Sequence, residues 1–451
     1  MISGGKPVPV GFARCRHREN SVSEALETRV LFRHIDEPGL HSIETYERLG
    51  GYAALKHAFR ESEPGDLVSE FEASGLRGRG GAGFSMGKKA SFLPQGDMDK
   101  YLCCNADESE PGTFKDRELM FKNPHGLVEG VAIGAMAAGA TRAFIFIRGE
   151  YAEVADRLDA AVAEAYEAGY LGDDILGTGV SVSVVVHRGA GAYICGEETA
   201  LLDSLEGKRG NPRLKPPFPA IQGLYGGPTL INNVETLMNL PNVVSNGSDW
   251  FKGFGTEQST GTKVVSVSGC VRRPGNYEIE LGISSRDIIY GLAGGPPEGR
   301  DLKCFFPGGS SAPILTKDHL DLPLTYEAMA EAGSMLGTAS VIVVDDSEPL
   351  VPLALRLAEF YRHESCGKCV PCREGTNWTV KMLERVVRGE ATPMDLDIVA
   401  SVQENIIGNC LCVLGDAMAM PVASMLKYFR PEFEQHMEEA RAKRDLAEAV
   451  A

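Results

Sequence analysis

The stretch that decides the fold is residues 143–187, AFIFIRGEYAEVADRLDAAVAEAYEAGYLGDDILGTGVSVSVVVH. It begins with an apolar run, continues as a strongly amphipathic helical pattern over residues 150–168, and ends with a second apolar run over residues 180–187. Strands that alternate with helices of this length are typical of strand–helix–strand units, which build parallel sheets. The stretch therefore predicts a layered α/β domain with a largely parallel sheet.

The same alternation continues on both sides of this stretch. Residues 101–105 predict a further strand, residues 125–139 a helix of small residues, and residues 197–205 another helix. Asp66 is a candidate N-cap for a helix over residues 67–74. We therefore assign residues 41–245 to the α/β domain, preceded by an irregular or extended arm over residues 1–40.

The pattern changes after residues 246–262, a polar and glycine-rich segment that predicts a linker. Two strand patterns flank the turn sequence RRPGN, and the strand patterns end near residue 344, which predicts a small α+β domain over residues 262–346. Helical patterns then follow one another, so residues 349–440 are predicted to form a helical bundle.

Composition excludes several classes of protein. The chain has 451 residues, is 43% hydrophobic, and carries 62 acidic against 45 basic residues, a net charge of −17. This charge argues against general binding to nucleic acid or to an anionic membrane. The most apolar region, residues 126–147, is interrupted by Glu129 and Arg142, and no signal-peptide pattern opens the sequence. We expect a cytoplasmic protein.

The cysteines carry the strongest chemical signal. The sequence SCGKCVPCR, residues 365–373, places three of the eleven cysteines at Cys-x2-Cys-x2-Cys spacing. Three such thiolates and a remote fourth are typical of a [4Fe–4S] cluster, whereas structural zinc sites, the alternative, more often use two separated pairs. The spacing leaves both Cys410 and Cys412 as the fourth ligand.

The glycine-rich run GLRGRGGAGF, residues 75–84, contains the pattern G-x-G-x-x-G. The preceding segment is helical in pattern, whereas a dinucleotide fingerprint follows a strand. The glycines still indicate a close backbone approach to a phosphate or a planar ring, and nearby Arg and Lys residues favour an anionic ligand. A tight structural turn is the alternative interpretation.

Four further motifs offer polar groups near predicted strand or helix ends. NADESEPG (residues 105–112) follows a strand, where ligands of open α/β sheets bind, although an acidic turn alone explains it equally well. In YICGEET (residues 193–199) the two glutamates suit either a ligand or a helix cap. KPPFP (residues 215–219) is a rigid segment, and INNVET (residues 231–236) suits a polar ligand or a cap.

Six motifs together identify a family. GLRGRGGAGF, CNADESEPGTFKDR, YICGEETAL, LKPPFPA, INNVETL and ESCGKCVPCREG occur in this order. They resemble the NADH-binding, FMN-containing flavoprotein subunit of respiratory NADH:quinone oxidoreductase, the bacterial type of complex I. The resemblance covers about residues 40–440. One departure is SMGKKA at residues 85–90, which replaces the commoner Pro-Thr-Gly-x-Lys-Trp and affects details of the adenine pocket.

The resemblance implies a site for FMN and NADH in the α/β domain. The residues implied in FMN binding are Gly78, Arg79, Gly80, Gly81, Lys89, Asn105, Asp107, Glu108, Tyr193, Gly196, Glu197, Glu198, Asn232 and Asn233. Those implied in NADH binding are Phe84 and Phe92, which are expected to sandwich adenine, with Glu110, Lys215 and Phe218. Glu110 and Glu198 are expected to position nicotinamide and flavin, and no side chain is expected to act as a catalyst.

The resemblance also selects Cys366, Cys369, Cys372 and Cys412 as the [4Fe–4S] ligands, and a ubiquitin-like, soluble-ligand-binding β-grasp fold for residues 262–346. It implies that hydride from NADH is accepted by FMN, and that single electrons pass through the cluster and partner subunits to quinone. The expected partners are a small thioredoxin-fold [2Fe–2S] subunit, a large multi-cluster subunit and the other complex I subunits, in a proton-translocating assembly whose peripheral arm lies on the cytoplasmic side of the plasma membrane. The alternative is the diaphorase subunit of a soluble NAD-dependent hydrogenase or formate dehydrogenase.

Overall fold

The computed structural model describes residues 26–96 and 98–450, with side chains up to residue 447. Its first part contains four strands and the helices that cover them. In chain order these elements are α1 (Ile43–Arg48), α2 (Ala53–Glu61), α3 (Pro64–Ala73), α4 (Met86–Ser91), β1 (Tyr101–Ala106), α5 (Lys115–Lys122), α6 (Pro124–Ala138), β2 (Arg142–Ile147), α7 (Ala152–Glu167), β3 (Ser183–Arg188), α8 (Glu198–Leu205), β4 (Thr229–Asn233), α9 (Val234–Met238), α10 (Leu240–Asn246) and α11 (Ser248–Lys252).

The four strands form a fully parallel sheet in the order β3-β2-β1-β4. Helix α6 is buried along its whole length, and its glycines permit close packing. A Cβ on Gly130 would lie 2.2 Å from the carbonyl oxygen of Leu237 in α9, so only glycine fits there. The predicted α/β architecture with a parallel sheet is confirmed, and its predicted strands and helices are present with ends shifted by a few residues.

Three local predictions for this part of the chain were wrong. Helix α3 begins at Pro64, with Glu63 as N-cap and Asp66 inside the first turn, because proline suits the first turn of a helix. The segment predicted as a linker includes α11 and the buried residues Phe251 and Thr260, so it packs within the fold. Strand β4 was read only as a motif, since two of its five residues are asparagine.

A second sheet follows, of mixed direction. Its elements are β5 (Thr262–Gly269), β6 (Gly275–Glu280), a π-helix (Asp287–Leu292), β7 (Leu302–Phe306), β8 (Leu315–Thr316), α12 (Tyr326–Glu331) and β9 (Ser340–Asp345). The strand order is β6-β5-β9-β7-β8, with β5 and β6 antiparallel and β5 and β9 parallel. The turn predicted over residues 272–276 connects β5 to β6, as expected.

The C-terminal part is helical, as predicted. It consists of α13 (Leu350–Glu364), α14 (Val370–Val387), α15 (Pro393–Ile406) and α16 (Leu414–Val450). The sequence predicted two helices where α16 runs as one element, bent at Phe429 between two prolines that lie inside it. Among the described residues, no helix combines the length and apolar character that a membrane crossing requires.

The predicted N-terminal arm lies partly outside the described residues, which begin at residue 26. Its described part consists mainly of turns and is docked on β6. The backbone N–H groups of Val30, Leu31 and Phe32 donate to the buried carboxylate of Glu278, at 2.8, 3.0 and 2.8 Å. Residues 30–32 are therefore fixed to the second sheet and do not extend away from the fold.

A buried group of charges joins the two sheets. The carboxylate of Glu235, in α9, accepts hydrogen bonds from Lys263 Nζ of β5 at 2.5 Å and from Val264 N at 2.8 Å. Lys115 Nζ lies 2.8 Å from the same carboxylate and 2.7 Å from Asp116, and all of these charged side chains are buried. Burial opposes ionisation of Glu235, but the two ammonium groups outweigh it and lower its pKa.

Removing Glu235 leaves two buried ammonium groups without their shared partner. We expect Glu235→Ala to destabilise the fold by about 3–5 kcal/mol, the usual result of breaking a buried ion pair. Chemical denaturation followed by circular dichroism measures the shift in midpoint. Asp321→Ala, which breaks an exposed pair with Arg286, is the control and is expected to leave the midpoint nearly unchanged. Equal shifts in the two variants would contradict the prediction.

Candidate functional site

The site lies where the carboxyl ends of β1 and β4 meet. The two strands are neighbours, and their register places Asn105 opposite Asn233. Asn105 Nδ2 donates to the carbonyl of Gly196 at 2.9 Å, and Asn233 Nδ2 donates to Asp116 at 2.7 Å. The Nδ2 atom of Asn232 is buried and has no protein partner. A buried donor without an acceptor is costly, so this amide fits a ligand that brings an acceptor.

The glycine-rich loop, residues 75–84, crosses this edge of the sheet. A Cβ on Gly80 would lie 2.8 Å from Asn233 Cβ, whereas a Cβ on Gly81 would meet nothing within 4 Å. The loop closes on itself through a hydrogen bond from Gly78 N to Phe84 O at 2.8 Å. Its backbone is therefore packed against Asn233 on one side and open at Gly81.

Arg79 anchors this loop. Its side chain is fully buried and donates to the carbonyls of Thr260 and Thr262, at 2.7 and 3.1 Å, while its N–H donates to Thr236 Oγ1. The structure thus commits the guanidinium to the protein interior. The expected contact of Arg79 with a cofactor stays a prediction, and the side chain is not free to make it.

The acidic loop after β1 presents three carboxyl groups in different settings. Burial raises the pKa of Asp107 to about 7, although Ser109 hydrogen-bonds to it. Glu108 is buried and accepts from the backbone N–H groups of Asp116 and Arg117, at 2.7 and 2.9 Å, so it caps α5. Glu110 accepts from Tyr193 at 2.8 Å and from Ser311 N at 2.8 Å, and burial raises its pKa.

A cationic pair lies at the N-terminus of α8. Lys89 Nζ is 2.9 Å from Glu198, and Lys215 Nζ is 2.7 Å from Glu198 and 3.0 Å from Glu197. Glu197 also caps the helix, accepting from Thr199 N and Ala200 N. Burial opposes ionisation of Glu198, but the two lysines lower its pKa to about 2. Residues from three distant motifs therefore form one charged cluster, and the capping interpretation of Glu197 is also correct.

Three large aromatic side chains are exposed beside this cluster. Phe84, Phe92 and Phe218 are 49%, 50% and 57% exposed, which is unusual for phenylalanine. The rings of Phe84 and Phe92 have centroids 6.1 Å apart and are tilted by 40°. A base stacked between them needs the rings to separate and become parallel, so the expected sandwich requires side-chain movement.

The cysteines line a second cavity. Cys366, Cys369, Cys372 and Cys412 surround a space of about 250 Å³ together with Ile194, Pro212, Ser365, Lys368, Leu411 and Leu414. Cys410 does not line this space. It forms a hydrogen bond with Cys372, which lowers the pKa of the Cys372 thiol. Four thiols around one cavity suit a cluster, whose ligands are thiolates.

The cavity and the cleft share one short segment, the 3-10 turn Tyr193–Gly196. Ile194 lines the cysteine cavity, while Gly196 accepts from Asn105 and Tyr193 donates to Glu110. Tyr193 N also donates to Glu364, at the end of α13 and next to the cysteine loop, at 3.1 Å. The two sites are therefore held together by a single turn.

The structure brings together the residues that the sequence predicted from distant motifs. It also adds residues that no motif indicated, among them Ser310, Ser311, Tyr326 and Tyr361. Ser310 Oγ lies 2.8 Å from the Tyr361 hydroxyl, beside Glu110. These residues are ordinary serines and tyrosines in sequence, so only their position in the fold reveals them.

Comparisons with known proteins agree with this arrangement. Residues 71–242 match the family model described as the Nuo51 FMN-binding domain, and residues 352–436 match the NADH-ubiquinone oxidoreductase-F iron-sulfur binding region. Among solved structures, an NAD+-reducing [NiFe]-hydrogenase in the H2-reduced state is similar, with a TM-score of 0.80 and 35% identity, over 91% of this chain and 67% of that chain.

Relatives of known name cover nearly the whole chain. An F-type NADH-quinone oxidoreductase subunit of Rhizobium meliloti is 53% identical over 91% of this chain and 98% of its own length. The F-type subunit of Mycobacterium bovis is 52% identical over 91% and 94%. The family resemblance inferred from the six motifs is thereby confirmed, and the chain belongs to the family of F-type NADH-quinone oxidoreductase subunits.

Proposed function

We propose that this chain is the electron-input subunit of an NADH-quinone oxidoreductase, with the nucleotide cleft at β1 and β4 and the cluster in the cysteine cavity. As a member of its family it is an oxidoreductase subunit with FMN, a [4Fe–4S] cluster and NADH as substrate. The observation that carries the proposal is the shared turn Tyr193–Gly196, which joins the cleft to the cavity. It keeps a two-electron site next to a one-electron site.

FMN supplies the chemistry that this arrangement needs, because a flavin accepts two electrons as hydride and releases them one at a time. The chain's own residues bind and orient. The amides of Asn105, Asn232 and Asn233 lie at the sheet edge, and the open backbone at Gly81 offers N–H groups. Hydride transfer needs no general base, which agrees with a cleft whose carboxyl groups are hydrogen-bonded to the protein.

The charged cluster and the aromatic rings suit the nucleotide substrate. Lys89 and Lys215 are held by Glu198, so their charge is positioned but partly compensated. Such cations favour an anionic phosphate, while exposed phenylalanines favour a stacked base. We propose that Lys215, Phe84, Phe92 and Phe218 bind NADH, and that Glu110 acts by holding Tyr193 in place.

The division into domains is proposed on the same basis. Residues 41–245 and 349–440 contain the parallel sheet and the helical part, and residues 262–346 contain the mixed sheet. We propose that this mixed sheet has a ubiquitin-like β-grasp fold. Its hairpin of β5 and β6, the parallel pairing of the first and last strands, and the strand order support this.

The partners follow from the single cluster. Electrons that leave it have to enter another protein, and we propose a small thioredoxin-fold [2Fe–2S] subunit and a large multi-cluster subunit as the next carriers. With the remaining complex I subunits they form a proton-translocating assembly, and this chain lies in its cytoplasmic peripheral arm. The C-terminal helices around the cysteines are the face expected to meet the next carrier.

A second candidate is the diaphorase subunit of a soluble NAD-dependent hydrogenase or formate dehydrogenase. The similarity to the NAD+-reducing [NiFe]-hydrogenase favours it. The F-type relatives are more similar in sequence, at 53% against 35%, and this chain spans 98% of the first of them. Co-purification with either a membrane-bound quinone reductase or a soluble hydrogenase distinguishes the two assemblies.

The fourth cluster ligand is tested by two serine variants. We expect Cys412→Ser to remove or convert the [4Fe–4S] centre, because Cys412 lines the cavity. Cys410→Ser is the matched control and is expected to retain it. Iron and acid-labile sulfide analysis with EPR of the reduced protein measures both. Equal loss in the two variants, or loss only in Cys410→Ser, contradicts the assignment.

The aromatic contact is tested by Phe92→Ala. Loss of stacking is expected to raise the KM for NADH by about five- to 100-fold while kcat changes little, because base stacking contributes about 1–3 kcal/mol. Steady-state kinetics with ferricyanide measure the split. Met394→Ala, an equally exposed apolar position on α15, is the control and is expected to match the unaltered protein. An unchanged KM in Phe92→Ala would refute the contact.

The proposed function as a whole is tested with two electron acceptors. The isolated chain, shown to contain FMN and the cluster, is expected to oxidise NADH with ferricyanide but not to reduce a ubiquinone or menaquinone analogue. One cluster site provides no route to quinone without partners. Inhibitor-sensitive quinone reduction by the chain alone, or no ferricyanide activity in the loaded chain, contradicts the proposal.

A further inference from the structure

The glycine-rich loop rests on α12, a helix of the second sheet region. Tyr326 begins that helix and is 8% exposed. Its hydroxyl donates to the carbonyl of Gly78 at 2.7 Å. A Cβ on Gly83 would lie 2.3 Å from the Tyr326 ring, and Gly83 has a φ of +64°, so the loop lies directly on this ring. One tyrosine therefore contacts both ends of the segment Gly78 to Gly83.

Arg77 reinforces the same contact. Its guanidinium carbon lies 4.0 Å from the centroid of the Tyr326 ring, and its Nε donates to the carbonyl of Gly83 at 2.6 Å. It also forms an ion pair with Glu327, which accepts from Ser259 Oγ at 2.6 Å. We call these four residues, Arg77, Ser259, Tyr326 and Glu327, the loop clamp.

The loop clamp acts on the backbone that faces the cleft. Between its two contact points, Gly80 packs against Asn233 and Gly81 faces open space. A glycine-rich segment loses much conformational freedom when it becomes ordered, so a loop that is not held would have to be ordered by the ligand. The clamp fixes the loop before any ligand arrives.

The acidic loop has a matching support in the same region. Ser311 N donates to Glu110, Ser310 N donates to Pro111 O, and Thr338 Oγ1 lies 2.7 Å from Thr113 Oγ1. Both loops that border the cleft are thus held by the second sheet region. This region therefore has a structural task at the cleft that does not require a ligand of its own.

We propose that Tyr326 is a positioning residue for the cofactor cleft: through its hydroxyl and its ring it fixes the glycine-rich loop in the conformation that binds FMN. This inference rests on the proposed function. Tyr326 contacts the loop and not the reacting atoms, so its loss weakens cofactor binding without changing the rate of a loaded site. Glu327 supports it by holding Arg77 over the ring.

The test compares two conservative variants of the full chain. Tyr326→Phe removes only the hydroxyl that donates to Gly78. Tyr277→Phe is the matched control, because the Tyr277 hydroxyl donates to the carbonyl of Arg273 at the same distance of 2.7 Å, in the β5–β6 hairpin. Flavin is removed and FMN is titrated back, with binding followed by quenching of flavin fluorescence, and thermal unfolding is measured in parallel.

We expect Tyr326→Phe to raise the dissociation constant for FMN about fivefold, the effect of one hydrogen bond, with kcat per bound flavin unchanged. Tyr277→Phe is expected to bind FMN as the unaltered chain does. Glu327→Gln is expected to weaken FMN binding in the same direction, which keeps the test decisive should Tyr326→Phe fold poorly.

Two results overturn the inference. One is equal FMN affinity in Tyr326→Phe, Glu327→Gln and Tyr277→Phe, with the unaltered chain binding FMN normally. The other is a loss of affinity that is matched by an equal fall in kcat per bound flavin. An unaltered chain that binds no FMN would instead contradict the proposed function itself, and the inference with it.

Discussion

The buried pairing of Glu235 with Lys263 and Lys115 is the constraint on which the arrangement of the two sheets depends. A buried charge loses several kcal/mol of hydration, so each of these groups has to find its partner at close range. Lys263 belongs to β5 and Glu235 to α9, directly after β4, so the pairing fixes the mixed sheet against the parallel one. Asp116 extends it to Asn233 at the cleft.

With the sheets fixed, the second sheet region can hold the two loops that border the cleft. Tyr326 holds the glycine-rich loop, and Ser311 holds Glu110. The first set of contacts uses glycine backbone, which accepts close approach, and the second uses a carboxylate that is satisfied by buried donors. A cleft whose walls are fixed in this way loses little entropy when a ligand binds.

The turn Tyr193–Gly196 has the corresponding role between the cleft and the cysteine cavity. Its backbone and side chains contact the sheet edge, Glu110 and the end of α13, so its position is determined from three sides. Because Ile194 fills the wall of the cavity, no separate element intervenes between the two sites. The distance between them is therefore set by packing that is independent of either cofactor.

The sequence by itself determined the element types and the chemistry, because strand–helix periodicity, glycine runs and cysteine spacing are local properties. It predicted the parallel sheet, the C-terminal helices, and the motifs that meet at the cleft. Local pattern missed β4 and the packed segment around Phe251, where polar residues are satisfied by distant partners. Only the tertiary structure decided that Cys412 lines the cavity while Cys410 does not, that the Arg79 guanidinium is buried, and that Tyr326 supports the loop. These outcomes depend on contacts between residues far apart in the chain, which no local pattern encodes.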